Sequence, residues 1–135
     1  MKVLITGNMG YVGPVVVRWL RQSYPQATLV GLDTGYFAHC LTNADLLPEC
    51  RVDVQYFADV RWLPLAVLDG VDAIVHLAAI SNDPIGNLFE EVTLDINYRA
   101  SVQLANEAKQ RGVKAFVFAA SCSMNSSKPG IATMT

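Results

Sequence analysis

Three glycines near the N-terminus, Gly7, Gly10 and Gly13, lie between a short apolar run and a stretch with helical character. This pattern suits the binding of a diphosphate, because the free N–H groups and the positive dipole end of a helix attract an anion. The first glycine permits a tight turn, the second lets the backbone approach the phosphates, and the third lets the helix pack on the strand. A glycine triplet by itself is also found in ordinary strand-to-helix turns, so its context decides.

The context here includes an acidic residue, Asp33, which follows Gly13 by twenty positions at the end of a second apolar run. An acidic residue at about that distance accompanies dinucleotide-binding turns. The sequence therefore predicts a dinucleotide site, whose contacts in the turn are Gly7, Asn8, Met9, Gly10, Tyr11, Val12 and Gly13.

Asp33 also bears on the choice of cofactor. A carboxylate there can accept hydrogen bonds from the ribose hydroxyls of NAD and would repel the 2′-phosphate of NADP. No Arg or Lys lies between Asp33 and Arg51 to receive such a phosphate. NAD is therefore the predicted cofactor; the alternative for Asp33 is a solvated carboxylate in a turn.

Five apolar runs alternate with helical or polar segments and predict strands at residues 3–5, 27–32, 52–58, 71–77 and 114–120. Such alternation predicts an α/β fold, a Rossmann-type doubly wound parallel sheet of strand order 3-2-1-4-5, truncated after the fifth strand. Ligands of such a sheet bind at the carboxyl ends of its strands. Residues 34–51 are interpreted as a loop with one short helix at most.

Two long helices are predicted, at residues 12–24 and 84–111, and a brief helical segment with Pro64 is predicted before a turn at Asp69-Gly70. Pro14 fits the first turn of the first helix and Pro25 stops it. Its expected inner face consists of Val12, Val16, Trp19 and Leu20. The apolar stripe of the second helix consists of Val92, Ile96, Ala100, Leu104 and Ala108, with Gly112 as the residue that ends it.

Composition excludes several classes of protein. Hydrophobic residues make up 52% and charged residues 16% of the 135 positions, which predicts a substantial buried core. The net charge of −2 without a basic cluster argues against a nucleic-acid partner. No apolar run reaches the ~18 residues of a membrane span. Three cysteines without a C-x-x-C pair are expected to be reduced thiols in a cytoplasmic protein.

The glycine spacing, G-x-x-G-x-x-G preceded by Thr6, resembles that of the short-chain dehydrogenase/reductase superfamily. Gly10-Tyr-Val-Gly13 is similar to the extended branch, the NAD-dependent sugar-nucleotide epimerases and dehydratases. The resemblance spans about residues 2–125. It implies transient hydride transfer between a nucleotide-sugar substrate and NAD in the full-length enzyme, and a homodimer through the 84–111 helix.

The resemblance also implies roles around the adenine and beneath the dinucleotide. Asp59 would accept from the adenine amino group and Val60 would cover the ring, although a strand-end Asp is also a common cap. His76-Leu77-Ala78-Ala79 resembles the family motif H-L-A-A, whose small side chains let Leu77, Ala78 and Ala79 pass close to the cofactor. We interpret His76 as a structural histidine whose polar groups are satisfied.

Two further positions are implied near the reacting centre. Asn97 matches a family Asn on the long helix that helps to order the active site and the nicotinamide-side ribose. Ser121 matches the serine at the end of the fifth strand and is the candidate catalytic hydroxyl. Ser123 is an alternative counterpart, and a plain turn serine is the other interpretation.

The sequence departs from the family because no Tyr is followed four residues later by Lys, the pair on which family catalysis depends. We therefore expect a truncated form, with an incomplete NAD-binding domain over residues 1–125, a flexible tail over 126–135 and no catalysis by the chain alone. Two alternatives stay open: a non-catalytic NAD-binding module or scaffold, and an NAD-linked reductase of the same superfamily.

Overall fold

The computed structural model describes residues 1–37, 51–81 and 87–120. Within these ranges, five short strands form one sheet: β1 (Lys2–Thr6), β2 (Thr28–Asp33), β3 (Val54–Phe57), β4 (Ala73–His76) and β5 (Ala115–Phe118). Every neighbouring pair is parallel, and the order is β3-β2-β1-β4-β5. This confirms the predicted Rossmann-type order. It also brings the carboxyl ends of all five strands to one edge.

Helical segments of the described residues lie in three of the four connections between consecutive strands, and the segment before β5 changes its winding midway. Helix α1 (Gly13–Ser23) joins β1 to β2. Two 3₁₀ helices, Val60–Trp62 and Leu65–Leu68, lie between β3 and β4. Helix α2 (Glu90–Leu94) runs into a π-helical segment (Asp95–Ala100) and then into helix α3 (Ser101–Gln110). Gly112 follows α3 with a φ of 73°, as predicted for the residue that ends this helix.

The sheet separates two apolar clusters, as expected for a layered α/β fold. Val3 and Ile5 of β1 pack on one face against Val17 and Leu20 of α1. On the other face, Leu4 packs against residues of the 3₁₀ and long helical segments: Val60, Val67, Leu68, Ala100, Leu104 and Ala108. The alternation along β1 follows from the two-residue period of a strand.

The predicted inner face of α1 was wrong in two positions. Val12 and Trp19 are exposed, whereas Gly13, Pro14, Val17 and Leu20 are buried. The reason is that Gly13 packs on the turn before it, which fixes how the helix is rotated about its axis. Val17 and Leu20, four and seven residues after Gly13, therefore face the sheet. Trp19 instead lies edge-on to Tyr24 at a centroid distance of 6.0 Å.

The stripe on the long helix is confirmed where the segment packs on the sheet. Ala100, Leu104 and Ala108 are buried and Ile96 is partly buried, while Val92 is exposed. Several predictions fall outside the described residues: the loop over 38–50, the helix start at Pro84, Ser121 with Ser123, and the 126–135 tail.

We predict that Leu4→Ala lowers the free energy of unfolding by about 2–5 kcal/mol, because it opens a cavity beside a strand at the centre of the sheet. Leu4 is fully buried. Leu65→Ala is the control, since Leu65 is 45% exposed, and it should cost less than about 1 kcal/mol. Urea unfolding measures both; equal losses would contradict the assignment of Leu4 to the core.

Candidate dinucleotide-binding site

The turn between β1 and α1, residues 7–13, is called the glycine turn below, and Gly7 is its tightest point. Gly7 has a φ of 72°, and its N–H donates to the carbonyl of Leu32 at 2.8 Å. A Cβ at this position would lie 2.7 Å from the main-chain nitrogen of Ala78. Only glycine fits a left-handed conformation pressed against another backbone, so Gly7 joins β1, β2 and the segment after β4.

Gly13 is the second point of close approach. A Cβ there would lie 2.2 Å from the carbonyl oxygen of Asn8, so the first residue of α1 packs directly on the main chain of the turn. Gly10 has more room: among the described residues beyond its chain neighbours, a Cβ there would meet only the carbonyl oxygen of Gly7, at 3.3 Å. Close packing of backbone thus explains Gly7 and Gly13. At Gly10 the missing side chain instead leaves open space above the turn.

The N-terminus of α1 is open. Val12 is the N-cap residue, no side chain in the described part of the chain caps the helix, and its first turn has no acidic residue. Tyr11 is 84% exposed and Val12 is 53% exposed, so both point away from the core. The positive end of the helix dipole is therefore available to an anion.

Asn8 and Met9, which were also predicted to contact the cofactor, direct their side chains inward. Asn8 is fully buried and Met9 is 4% exposed. The Asn8 amide exchanges two hydrogen bonds with the amide of Gln55 on β3. The side chains of both residues thus support the turn from below, and a ligand could meet only their main chain.

Asp33 lies at the carboxyl end of β2 and is tied to the loops on both sides. Its Oδ2 accepts from the N–H of Met9 at 2.9 Å, and its Oδ1 accepts from the N–H of Gly35 at 2.8 Å. A carboxylate has about four acceptor positions, so each oxygen keeps one for a further donor. The two main-chain bonds hold this half-buried carboxylate in a fixed orientation beside the glycine turn.

Asp59 caps the first 3₁₀ helix and is paired with Arg61. It accepts from the N–H of Arg61 at 2.9 Å and from the guanidinium Nη2 at 2.7 Å. The hydrogen bond from the Arg61 side chain holds the pKa of Asp59 below its usual value. Val60, expected over a ring, is buried in the core. Sequence reasoning missed Arg61, although the Asp-x-Arg spacing is a visible signal.

The segment after β4, residues 77–80, passes directly under Gly7. The N–H of Leu77 donates to the carbonyl of Thr6 at 3.0 Å, and the N–H of Ala78 reaches the Thr6 hydroxyl at 3.4 Å. Leu77 and Ala78 are partly buried and Ala79 is exposed. The small residues predicted to pass near a cofactor therefore lie beside the glycine turn.

His76 is buried and has partners on both ring nitrogens, as we interpreted it from the sequence. Its Nδ1 lies 2.6 Å from the Thr6 hydroxyl and its Nε2 lies 2.8 Å from the Ser101 hydroxyl. The Ser101 hydroxyl donates to the carbonyl of Asn97 at 3.0 Å, so it accepts from Nε2–H. His76 is thus neutral with its proton on Nε2, and Thr6 donates to Nδ1.

Asn97 links the long helical segment to the segment after β4. Its Nδ2 donates to the carbonyl of Ile80, and its Oδ1 accepts from the N–H of Ile80, both at 2.8 Å. Asn97 lies in the π-helical segment, a winding often found at functional positions. Sequence reasoning found Asn97 but missed Ser101 and Thr6, the two hydroxyls that complete this network.

The described ranges contain no group of His, Cys, Asp and Glu side chains that could hold a metal ion. Nor do they contain a helix with the length and hydropathy of a membrane span.

Burial of His76 predicts a specific dependence of stability on pH. Desolvation lowers the pKa of His76 to about 4 from 6.5, so the unfolded chain binds this proton more readily. Stability should therefore fall as the pH drops from 6.5 toward 4, by about 2 kcal/mol between pH 7 and pH 5. Carboxylates with a lowered pKa lose their contribution to stability only below this pH window.

Urea unfolding at pH 7 and pH 5 measures the difference, and His76→Gln should abolish it. An unchanged difference in that variant would contradict the assignment.

Comparison with known proteins agrees with this geometry. The model of the NAD dependent epimerase/dehydratase family matches residues 3–134. The uncharacterized UDP-glucose epimerase YtcB of Bacillus subtilis (strain 168) is 29% identical over 141 residues, which cover 96% of this chain and 43% of the relative.

Two solved structures share the fold. A UDP-glucose-4-epimerase from Stenotrophomonas maltophila, with bound NAD and formylated UDP-arabinopyranose, has a TM-score of 0.72 and 26% identity over 91% of this chain and 38% of its own. MoeE5 in complex with UDP-glucose and NAD has a TM-score of 0.75 and 25% identity over 98% of this chain and 40% of its own.

The chain therefore spans about two fifths of the length of these relatives. Since the family model covers almost all of its residues, the chain belongs to the NAD-dependent epimerase/dehydratase family.

Proposed function

We propose that this chain binds NAD through its glycine turn, as the nucleotide-binding portion of an NAD-dependent nucleotide-sugar epimerase or dehydratase. The observation that carries the proposal is the uncapped N-terminus of α1. It packs closely on the turn before it, since a Cβ on Gly13 would lie 2.2 Å from the carbonyl oxygen of Asn8. The diphosphate would lie over Gly10, where the turn leaves room, and would accept from main-chain N–H groups at the start of the helix.

The orientation of Asp33 supports NAD rather than NADP. Its carboxylate, fixed by Met9 and Gly35, keeps acceptor positions for the two ribose hydroxyls on the adenosine side. The same negative charge would repel a 2′-phosphate. Asp59, kept charged by Arg61, would accept from the adenine amino group at the next strand end.

The nicotinamide half would extend toward residues 77–80, where Ala78 and Ala79 leave space. Asn97 would act there by holding the main chain of Ile80 at both its N–H and its carbonyl. Bound NAD supplies a hydride acceptor. Ser121 would hydrogen-bond the reacting sugar oxygen. The nucleotide-sugar substrate is suggested by MoeE5 and the Stenotrophomonas enzyme, which bind UDP-sugars together with NAD.

The proposal also includes a homodimer and a cytoplasmic location. A homodimer through the helical segments α2, π and α3 is supported by the exposed apolar side chains of Leu94, Tyr98 and Val102, which recur every four residues. A cytoplasmic location would suit three reduced cysteines.

We predict that Asp33→Ala weakens NAD binding about 10- to 100-fold and narrows the preference for NAD over NADP, because hydrogen bonds to a charged acceptor are lost. Asp69→Ala is the matched control, since it removes the same charge from an exposed position, paired with Arg111, at the opposite end of the sheet. Titration calorimetry with both dinucleotides measures the change. Equal effects of the two variants would contradict the role of Asp33.

We predict that Gly10→Val abolishes NAD binding without unfolding the chain. Apart from its chain neighbours, a Cβ on Gly10 would contact only the carbonyl oxygen of Gly7 among the described residues, so the added side chain would fill the space above the turn rather than the core. Circular dichroism checks the fold and calorimetry checks binding. Undiminished affinity in a folded variant would place the dinucleotide elsewhere.

A further inference from the structure

An amide pair beneath the glycine turn joins residues that are far apart in sequence. Asn8 Nδ2 donates to Gln55 Oε1 at 2.6 Å, and Gln55 Nε2 donates to Asn8 Oδ1 at 3.2 Å. Gln55 Nε2 also donates to the carbonyl of Tyr56 at 3.1 Å. Asn8 is fully buried, so its amide would be left without a partner from solvent if these bonds were lost.

The pair exists because β2 carries a glycine at the point of crossing. Gly31 is in register with Ile5 of β1 and with Gln55 of β3, so all three residues lie in one row across the sheet. A Cβ on Gly31 would lie 2.5 Å from Asn8 Nδ2 and 2.5 Å from Gln55 Oε1. Because Gly31 has no side chain, a gap (the slot) is left on this face of β2, and the Gln55 side chain crosses β2 there to reach the glycine turn.

The position of Asn8 is passed on to the start of α1. The main chain of Asn8 is the surface on which Gly13 packs, with its carbonyl oxygen, carbonyl carbon and Cα 2.2, 2.4 and 2.6 Å from the Cβ that Gly13 lacks. A contact this close transmits displacement, since neither backbone can yield without moving the other. The amide of Gln55 is therefore connected through Asn8 to the first residue of the helix.

We infer that Gln55 is a positioning residue for the dinucleotide. Through Asn8 it fixes the main chain of the glycine turn against the first residue of α1, and this contact is possible only because residue 31 of β2 is a glycine. The inference rests on the proposed NAD binding. The side chain of Gln55 bonds to Asn8 and to the carbonyl of Tyr56, outside the proposed path of the ligand. It acts through Asn8, and its loss should reduce affinity by loosening the main-chain donors of the turn.

The test compares Gln55→Met with Val67→Ala. Gln55→Met keeps the length of the side chain but leaves the Asn8 amide buried without a partner. Val67 is buried in the cluster on the other face of the sheet, so Val67→Ala loosens the fold at a distance from the turn. NAD affinity is measured by calorimetry below the melting temperature, and amide hydrogen exchange is followed at Gly7, Met9 and Gly10.

We expect Gln55→Met to weaken NAD binding about tenfold and to speed exchange at these three amides by a similar factor. Val67→Ala should change neither, although it lowers the melting temperature. Equal effects of the two variants on affinity and exchange would overturn the inference, because Gln55 would then contribute only general stability.

Failure of the proposed function is distinguishable. If the native chain binds no NAD, that proposal fails and exchange alone decides the role of Gln55: faster exchange at the turn in Gln55→Met supports positioning, and unchanged exchange overturns it. Gly31→Ala gives a second variant that closes the slot. It should repeat the exchange change, and adding Asn8→Ala should relieve part of it; additive effects would also overturn the inference.

Discussion

The close approach of three backbones at the glycine turn is the constraint on which the site depends. Gly7 presses against Ala78 and Gly13 presses against Asn8, at distances that no side chain could enter. The first contact brings the strand before the turn against the segment after β4, and the second sets the start of α1 and hence which of its faces meets the sheet. The N-terminus of the helix, which no side chain of the described residues caps, lies beside the same packing.

Neutral groups support this edge of the sheet from below. The Asn8–Gln55 amides, the Thr6–His76–Ser101 chain and the Asn97–Ile80 bonds each satisfy buried or partly buried polar groups without a net charge. Burial of a neutral imidazole avoids the large cost of burying a charge. The carboxylates of Asp33 and Asp59 lie above them at the strand ends, where they are partly exposed. The charged side chains thus lie at the surface where a ligand would bind.

Local patterns predicted the fold well. Apolar runs marked all five strands, and the four-residue stripe marked Ala100, Leu104 and Ala108. The phase of α1 was missed because it depends on the contact of Gly13 with Asn8, which leaves Trp19 exposed. Asn8 was assigned to the ligand from its place in the turn, yet its side chain pairs with Gln55, and a partner 47 residues away has no local signal. Arg61 was within reach of sequence reasoning, because it lies two residues from Asp59.

The most direct test of the account is a titration of the ¹⁵N-labelled chain with NAD, followed through the backbone amide resonances. We expect saturable shifts that are largest at Gly10, Tyr11, Val12 and Gly13, with a smaller response of these amides to adenosine, which has no diphosphate. Shifts confined to other parts of the chain, with the turn amides unmoved, would contradict the claim that main-chain donors of the glycine turn bind the diphosphate.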